Sequence, residues 1–384
     1  MDFELPWLLL GLPVAFALGW LASRIDVRQW KREQRESSQT YLKGLNLLLN
    51  EQQDKAIDTF IEVVQNDPDS TELHFSLGNL FRRRGEYERA VRLHEFLLAR
   101  AGLPRADRER AQDALAQDFM KAGLFDRAEQ AYRALEGSAF DTDARLALLA
   151  LHERSRDWHT AIDVARKLEQ SGAASFASRI AHYWCEIAHD ADARRQPDAA
   201  AAALKQAREV DPQAPRPLIM IGRRHALEGG HAQAMQAFGE LLVANRASFN
   251  LVALEFAASA RACGREAAAL EQLEGAYRAE PSLDLLSAIG ELDADRQRQR
   301  ERLKMHLAAH PAFSAAQRLL SLGSAAAPLD PSEVQAIDGA LERGSRALQR
   351  YRCAACGFEG QHHFWQCPGC MAWDSYPPLR LEEA

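Results

Sequence analysis

From Ser37 to about residue 311 the sequence recurs with a period of about 34 residues, and no other feature of the chain restricts its fold as tightly. In "YLKGLNLLLNEQQDKAIDTFIEVVQNDPDS", Gly44, Ala56, Phe60 and Pro68 fall at positions 8, 20, 24 and 32 of a unit that begins at Ser37. The stretch "LHFSLGNLFRRRGEYERAVRLHEFLL" repeats the scheme with Leu77, Gly78, Phe81, Gly85, Tyr87 and Ala90. Small residues at positions 8 and 20 let two helices approach closely, and an aromatic at position 24 fills the gap against the next unit. Such a unit cannot bury its apolar face alone, so each needs its neighbour.

This pattern resembles the tetratricopeptide repeat. Further copies carry Phe119, Gly123, Phe125, Ala128 and Tyr132, then Trp158 and Ala161, then Ala200 and Pro212. After them come Gly222, Gly229, Ala234 and Phe238, then Gly264, Ala269 and Pro281, and a degraded copy ends at Pro311, giving about eight repeats. The fourth and fifth copies are weak: Arg156 replaces the turn glycine, and Pro197 stands where an aromatic normally packs. The aromatics fall at packing positions and are assigned to the core. His74, His94, His152 and His225 fall singly in helices and are read as core or surface residues. The abundant carboxylates are read as solvated faces. Stacked pairs present a face lined by the first helix of each pair, which suits an extended segment of another protein.

At the front, "MDFELPWLLLGLPVAFALGWLASR" holds no charge from Leu5 to Ala22. As a helix those residues rise about 27 Å, enough to span a hydrocarbon core. Asp2 and Glu4 precede the run, and Arg24, Arg28, Lys31, Arg32 and Arg35 follow it, the reverse of a cleavable signal. The positive-inside rule then places the N-terminus outside and the rest of the chain in the cytoplasm. Gly11, Ala15, Gly19 and Ser23 form a small-residue stripe that suits a helical partner in the membrane.

The net charge of −7 and the pI near 6.0 argue against a surface built mainly for nucleic acid. Six cysteines are too few for a disulfide scaffold in 384 residues. Cys185 and Cys263 lie alone in helical patterns and read as buried free thiols. The other four form two CxxC pairs, Cys353 and Cys356, then Cys367 and Cys370, inside "RCAACGFEGQHHFWQCPGC". Each two-residue spacer folds into a knuckle that aims both sulfurs at one point, and two facing knuckles make a tetrahedral four-sulfur metal site. Gly357 is expected at positive φ, and Pro368 stiffens the second knuckle. His362 and His363 are read as a solvated loop, since four sulfurs complete the site. Phe358, Phe364, Trp365 and Trp373 are expected to roof the metal and fix the module to the helices before it.

The knuckles CxxCG and CPxC resemble those of rubredoxin, although the arm between them is shorter and Met371 stands where that family commonly has glycine. A closed four-sulfur site leaves no open position for hydrolysis, and no phosphate loop, HExxH helix, GxSxG elbow or EF-hand occurs in the sequence, so no enzyme is expected. The whole reading is an all-α chain. A transmembrane helix (1–23) leads through a basic linker (24–36) to a tetratricopeptide α-solenoid (37–322). A linker and final helix (323–350) then reach a rubredoxin-like metal module (351–378).

That order of parts resembles the lipopolysaccharide assembly protein B family of Gram-negative bacteria, most specifically in "YRCAACGF" and "WQCPGCMAW". The resemblance implies a single-pass inner-membrane adaptor, its N-terminus periplasmic and its repeats and metal module on the cytoplasmic side. It implies that the adaptor restrains lipopolysaccharide synthesis by promoting degradation of the lipid A deacetylase by the protease FtsH, and that it gathers synthesis and export proteins. It carries over four metal ligands, Cys353, Cys356, Cys367 and Cys370, for one iron or zinc ion. No nucleic-acid partner is implied, and a homodimer is left open. The alternative reading is a membrane-tethered, rubredoxin-like redox carrier or sensor.

Overall fold

The computed structural model describes residue 47 and residues 53–66, 70–310, 312–322, 341–342 and 344–383. The apolar run Leu5–Ala22 and most of the 323–350 linker lie outside these residues. Among the described residues no helix is long and apolar enough to cross a membrane. The chain divides into two compact units, one ending at Arg156 and one beginning at Asp157.

The first unit contains α1 (Gln53–Asn66), α2 (Thr71–Arg83), α3 (Tyr87–Ala99), α4 (Arg105–Ala122), α5 (Phe125–Arg133) and α6 (Asp141–Ser155). The second contains α7 (Trp158–Gln170), α8 (Ala177–Ala193), α9 (Pro197–Val210), α10 (Pro215–Leu227) and α11 (His231–Ala244). It continues through α12 (Arg246–Phe249), a 3-10 turn (Asn250–Val252), α13 (Ala253–Ala262), α14 (Glu266–Ala279), α15 (Leu283–Leu292), α16 (Arg296–Ala309) and α17 (Phe313–Ser321). Residues 344–348 are helical, and two short strands follow.

The periodic positions do the work assigned to them. Ala56, Ala90, Ala128, Ala161, Ala200, Ala234 and Ala269, the position-20 residues, are all fully buried. At position 8 the approach is closer still. A Cβ built on Gly78 would lie 2.5 Å from His94 Nε2, and one on Gly222 would lie 2.2 Å from Phe238 Cε1. No side chain fits there, because a protein interior has no slack of that size.

The first helices α2, α4, α6, α8, α10 and α13 each end in a left-handed residue, which turns the chain back for the second helix, whereas α15 ends in extended Asp293. Gly85, Gly123, Gly229 and Gly264 take φ of 80°, 75°, 78° and 67°, and Arg156 and Arg195 take 58° and 60° at the equivalent place. The turn survives without glycine, at a cost. Arg195 is exposed, so Arg195→Gly should raise unfolding free energy by about 0.5–1 kcal/mol in denaturant titration, by relieving the left-handed backbone. An unchanged midpoint would mean that the strain is already relieved locally.

Two expectations about side chains need correction. Phe125 is 39% exposed, with the Arg154 guanidinium 5.2 Å from its ring centre, whereas Trp158 at the same repeat position of α7 is buried. The carboxylates are not all solvated either. Asp118 is fully buried, 2.8 Å from Arg82 Nη1 and 2.5 Å from His94 Nδ1, and Arg82 also donates to Ala114 O at 3.0 Å. This network fastens α2 and α3 to α4, since a buried carboxylate is tolerable only when paired and hydrogen-bonded.

His306 in α16 is buried, with Tyr277 OH 2.8 Å from its Nδ1 and the His310 ring 5.3 Å away. Burial and His310 hold its pKa below the usual 6.5, against an opposing pull from Glu382. The unfolded chain therefore takes up a proton first as pH falls. The stability of this pair should drop as pH falls through about 6.5, and a melting temperature flat between pH 7.5 and 5.5 in the wild type would refute the assignment.

Candidate metal centre and its dock

The C-terminal module begins with β1 (Tyr351–Arg352), which pairs antiparallel with β2 (Glu359–Gly360), Tyr351 opposite Gly360 and Arg352 opposite Glu359. The first knuckle fills the turn between them. Gly357 N donates to Cys353 O at 2.8 Å, and Cys353 N donates to Phe358 O at 2.9 Å. The second knuckle repeats this: Met371 N donates to Cys367 O at 2.8 Å, and Cys367 N to Ala372 O at 2.9 Å. Gly357 has φ 77° as expected, and Met371 holds the same left-handed position with φ 61°. The departure from glycine at Met371 thus leaves the knuckle intact and costs about 1–2 kcal/mol of backbone strain.

All four sulfurs lie within 4.8 Å of one another. Cys353 Sγ is 3.8 Å from Cys370 Sγ, and Cys356 Sγ is 3.6 Å from Cys367 Sγ. Sulfurs at the corners of a tetrahedron with metal–sulfur bonds near 2.3 Å stand about 3.8 Å apart, whereas a disulfide would hold them at about 2 Å. The donor set therefore fits one tetrathiolate ion. Its charges point the same way. The Cys353 thiol is pushed down to about 6, first by the Ser375 hydroxyl 3.2 Å away and then, against burial, by the Cys356 and Ala355 amides. Cys356 is drawn down by the Phe358 amide, yet its sulfur neighbours Cys370, Cys367 and Cys353 hold it up at about 12. Thiolates this close suppress one another's ionisation unless a cation sits among them.

Cys353 and Cys367 are buried, while Cys356 and Cys370 are exposed. Tyr376 OH lies 3.9 Å from Cys367 Sγ and donates to Phe358 O at 3.1 Å, tying the two knuckles together from inside. Arg352 pairs with Glu359 at 2.7 Å, which leaves little cationic surface on this part of the module.

The module is fixed to the repeat helices before it, as expected of its aromatics. The Trp373 ring stacks on His182 of α8 at 4.7 Å and meets Tyr183 edge-on at 5.8 Å. Trp365 packs into the apolar core built by α10 to α15. Asp374, at φ 51°, lies 2.9 Å from His182 Nε2 and accepts from Ser178 Oγ at 2.9 Å. Burial opposes its charge, but the bonds from His182 and Ser178 hold its carboxyl below the usual range.

The tail beyond the module continues the dock. Arg380 reaches Asp284 at 2.9 Å, and Glu383 accepts from Leu283 N at 2.6 Å, at the start of α15. Glu382 accepts from Ser314 N at 2.5 Å and Ser314 Oγ at 2.7 Å, at the start of α17. Carboxylates there satisfy orphan amides and meet the positive end of the helix dipole.

Several expectations change. His363 is not solvated: it packs 5.7 Å from Tyr351 and 4.9 Å from Trp365, with Nε2 3.2 Å from Tyr376 O. His362 is exposed, as expected. Phe358 is 43% exposed and lies against Gly369, outside the sulfur cluster, while Phe364 packs on Tyr376 at 5.6 Å. Of the four aromatics, the two tryptophans make the dock. Asp374, Ser375, Tyr376 and the tail, with Ser178 and His182, were not anticipated, because no period or spacing marks a contact made once between distant segments. Trp373→Ala should separate the module from α8, costing about 3–5 kcal/mol and exposing Trp365 to quencher. Unaltered quenching would place the binding strength elsewhere.

Residues 351–378 match the family model described as the rubredoxin metal binding domain. The lipopolysaccharide assembly protein B of Escherichia coli strain K12 is 32% identical over 380 residues, 97% of this chain and 98% of that protein. The protein of the same name from Haemophilus influenzae Rd is 29% identical over 402 residues, 98% of each. Among solved structures, a tetratricopeptide repeat protein from Parabacteroides merdae aligns with 80% of this chain and 98% of its own at 13% identity and a TM-score of 0.28. The Naa15/Naa10 complex bound to HypK-THB aligns with 82% of this chain and 46% of its own, at 14% identity and a TM-score of 0.39.

Proposed function

Because the chain belongs to the lipopolysaccharide assembly protein B family, we propose that it serves lipopolysaccharide assembly as a non-catalytic adaptor held at the inner membrane. The match over 97% of the chain carries this reading, since it takes in the front segment, the repeats and the cysteine module together. In this reading residues 5–22 span the membrane, and the repeats bring the lipid A deacetylase to FtsH and hold synthesis and export proteins nearby. Confinement beside a membrane protease raises the effective concentration of a client without new contacts. A client held this way is cut more often.

Cys353, Cys356, Cys367 and Cys370 would hold the ion. The ion, iron or zinc, would supply four strong thiolate bonds and no open coordination position. The chain's own residues do the rest: Trp365, Trp373 and Asp374 seat the module on the repeats, and Glu382 and Glu383 close the starts of α17 and α15. The pair His94 and Asp118 has the form of a catalytic dyad, yet His94 Nε2 abuts Gly78 in the core, where no substrate reaches it.

The test is to measure the half-life of the deacetylase in cells with the intact chain, a chain lacking residues 1–23, and none, and to recover partners from membranes by mass spectrometry. A half-life insensitive to the chain, with neither the protease nor a lipid A enzyme recovered, would remove the proposed role. The exposure of Cys356 and Cys370 favours a second reading, electron transfer through iron. Stoichiometric colourless zinc in purified protein removes it.

A further inference from the structure

In the second unit the chain's own module covers the face formed by first helices. His182, which Trp373 and Asp374 engage, stands eighteen positions before the buried Ala200. Glu72, Arg110 and Asp143 stand eighteen before Ala90, Ala128 and Ala161, so they mark the same face in the first unit. There no other described segment is bonded over the face. Among the residues not buried, Glu72, Ser76, Asn79 and Arg83 fall on α2, Arg110, Asp113, Gln117 and Lys121 on α4, and Asp143, Leu146, Ala150 and Arg154 on α6. These spacings of three and four draw one stripe along each helix.

Each stripe ends in an exposed cation at the same repeat position: Arg83, Lys121 and Arg154. Arg83 and Lys121 have no hydrogen bond or ion pair among the described residues, and Arg154 meets only the Phe125 ring. Of the acids on the stripes, Glu72 is engaged by Arg110 at 2.5 Å and Asp113 by Gln117 at 2.7 Å, while Asp143 is exposed. A cation in a last turn complements the helix dipole. The dipole does not account for the apolar side chains beside these cations, Leu124 at 44%, Phe125 at 39% and Leu146 at 41% exposure.

We propose that this cationic, partly apolar row is the docking site for an acidic, extended peptide segment of a partner protein. The proposal rests on the adaptor reading and supplies its client surface. α2 and α4 pack, and since packed helices lie about 8–10 Å apart while an extended chain rises about 3.3 Å per residue, acidic residues three positions apart in the segment would meet Arg83 and Lys121. An apolar residue between the acids would lie against Leu124, Phe125 and Leu146.

Fluorescence anisotropy with the full chain in detergent tests this, using a labelled peptide with Glu at every third position and Leu between, a peptide with Lys in place of Glu, and a single-stranded oligonucleotide. Binding of the acidic peptide should weaken with salt. It should fall at least tenfold in the triple variant Arg83→Glu, Lys121→Glu, Arg154→Glu, and less steeply in the triple alanine variant, which spares the helix ends a repulsive charge. Arg108→Glu, exposed on another side of α4, should bind as the wild type does. No binding by the wild type, equal binding by the triple alanine variant, equal loss in Arg108→Glu, or tighter binding of the oligonucleotide would each overturn the proposal. Failure here with an intact effect on deacetylase half-life would sink the docking site and spare the adaptor.

Discussion

Cys367→Ser will bring the metal content of purified protein well below one equivalent and will lower the melting temperature of the repeats from α8 to α17 in the same step. Cys367 is fully buried, and its sulfur is 3.6 Å from Cys356 Sγ. A tetrathiolate site of this kind binds its ion with an apparent free energy of about 10–16 kcal/mol, and the module, too small to fold on its own core, shares that energy with its fold. The dock transmits the loss. Trp365 lies in the repeat core, and Asp374, Arg380, Glu382 and Glu383 hold α8, α15 and α17. Calorimetry with hydrogen exchange over residues 177–321 reads the outcome. Unchanged exchange in α8 and α15, with the metal gone, would show that the module contributes nothing to the repeats.

Phe238→Ala will destabilise the second unit by about 3–5 kcal/mol, because a fully buried ring is removed from a close-packed core. Gly222→Ala will cost about 1–3 kcal/mol for the opposite reason: its Cβ would stand 2.2 Å from the same ring. The two effects are coupled. With the ring gone the methyl meets a cavity, so the double variant should be more stable than the sum of the single costs allows, by about 1–2 kcal/mol. Strict additivity in urea titrations would mean that α10 and α11 do not depend on this contact for their approach.

The same pair shows how much of the fold was legible beforehand. Gly222 and Phe238 were singled out by period alone, and the structure puts one against the other. The position-20 alanines are likewise all buried, and Arg156 turns the chain where glycine was missing. A repeat writes each packing decision many times, so even degraded copies remain readable. The exposure of Phe125 was misread because it neighbours the core positions in sequence. The buried pair of Asp118 with His94 was misread because nothing in a carboxylate's local spacing tells whether a neighbouring helix covers it.

Within the cysteine module, the residues alone determined that two knuckles form and that their sulfurs converge, because a CxxC turn is local and its hydrogen bonds close within five residues. Where the module sits was decided only by the tertiary structure. Asp374 meets His182 across 192 residues of sequence, and Glu383 meets Leu283 across 100. Such contacts occur once, carry no period, and depend on which face of the stacked helices is brought beneath the tail. Local hydrogen bonding and repetition are encoded along the chain, while the choice of a single distant surface is settled only when the helices have packed and created it.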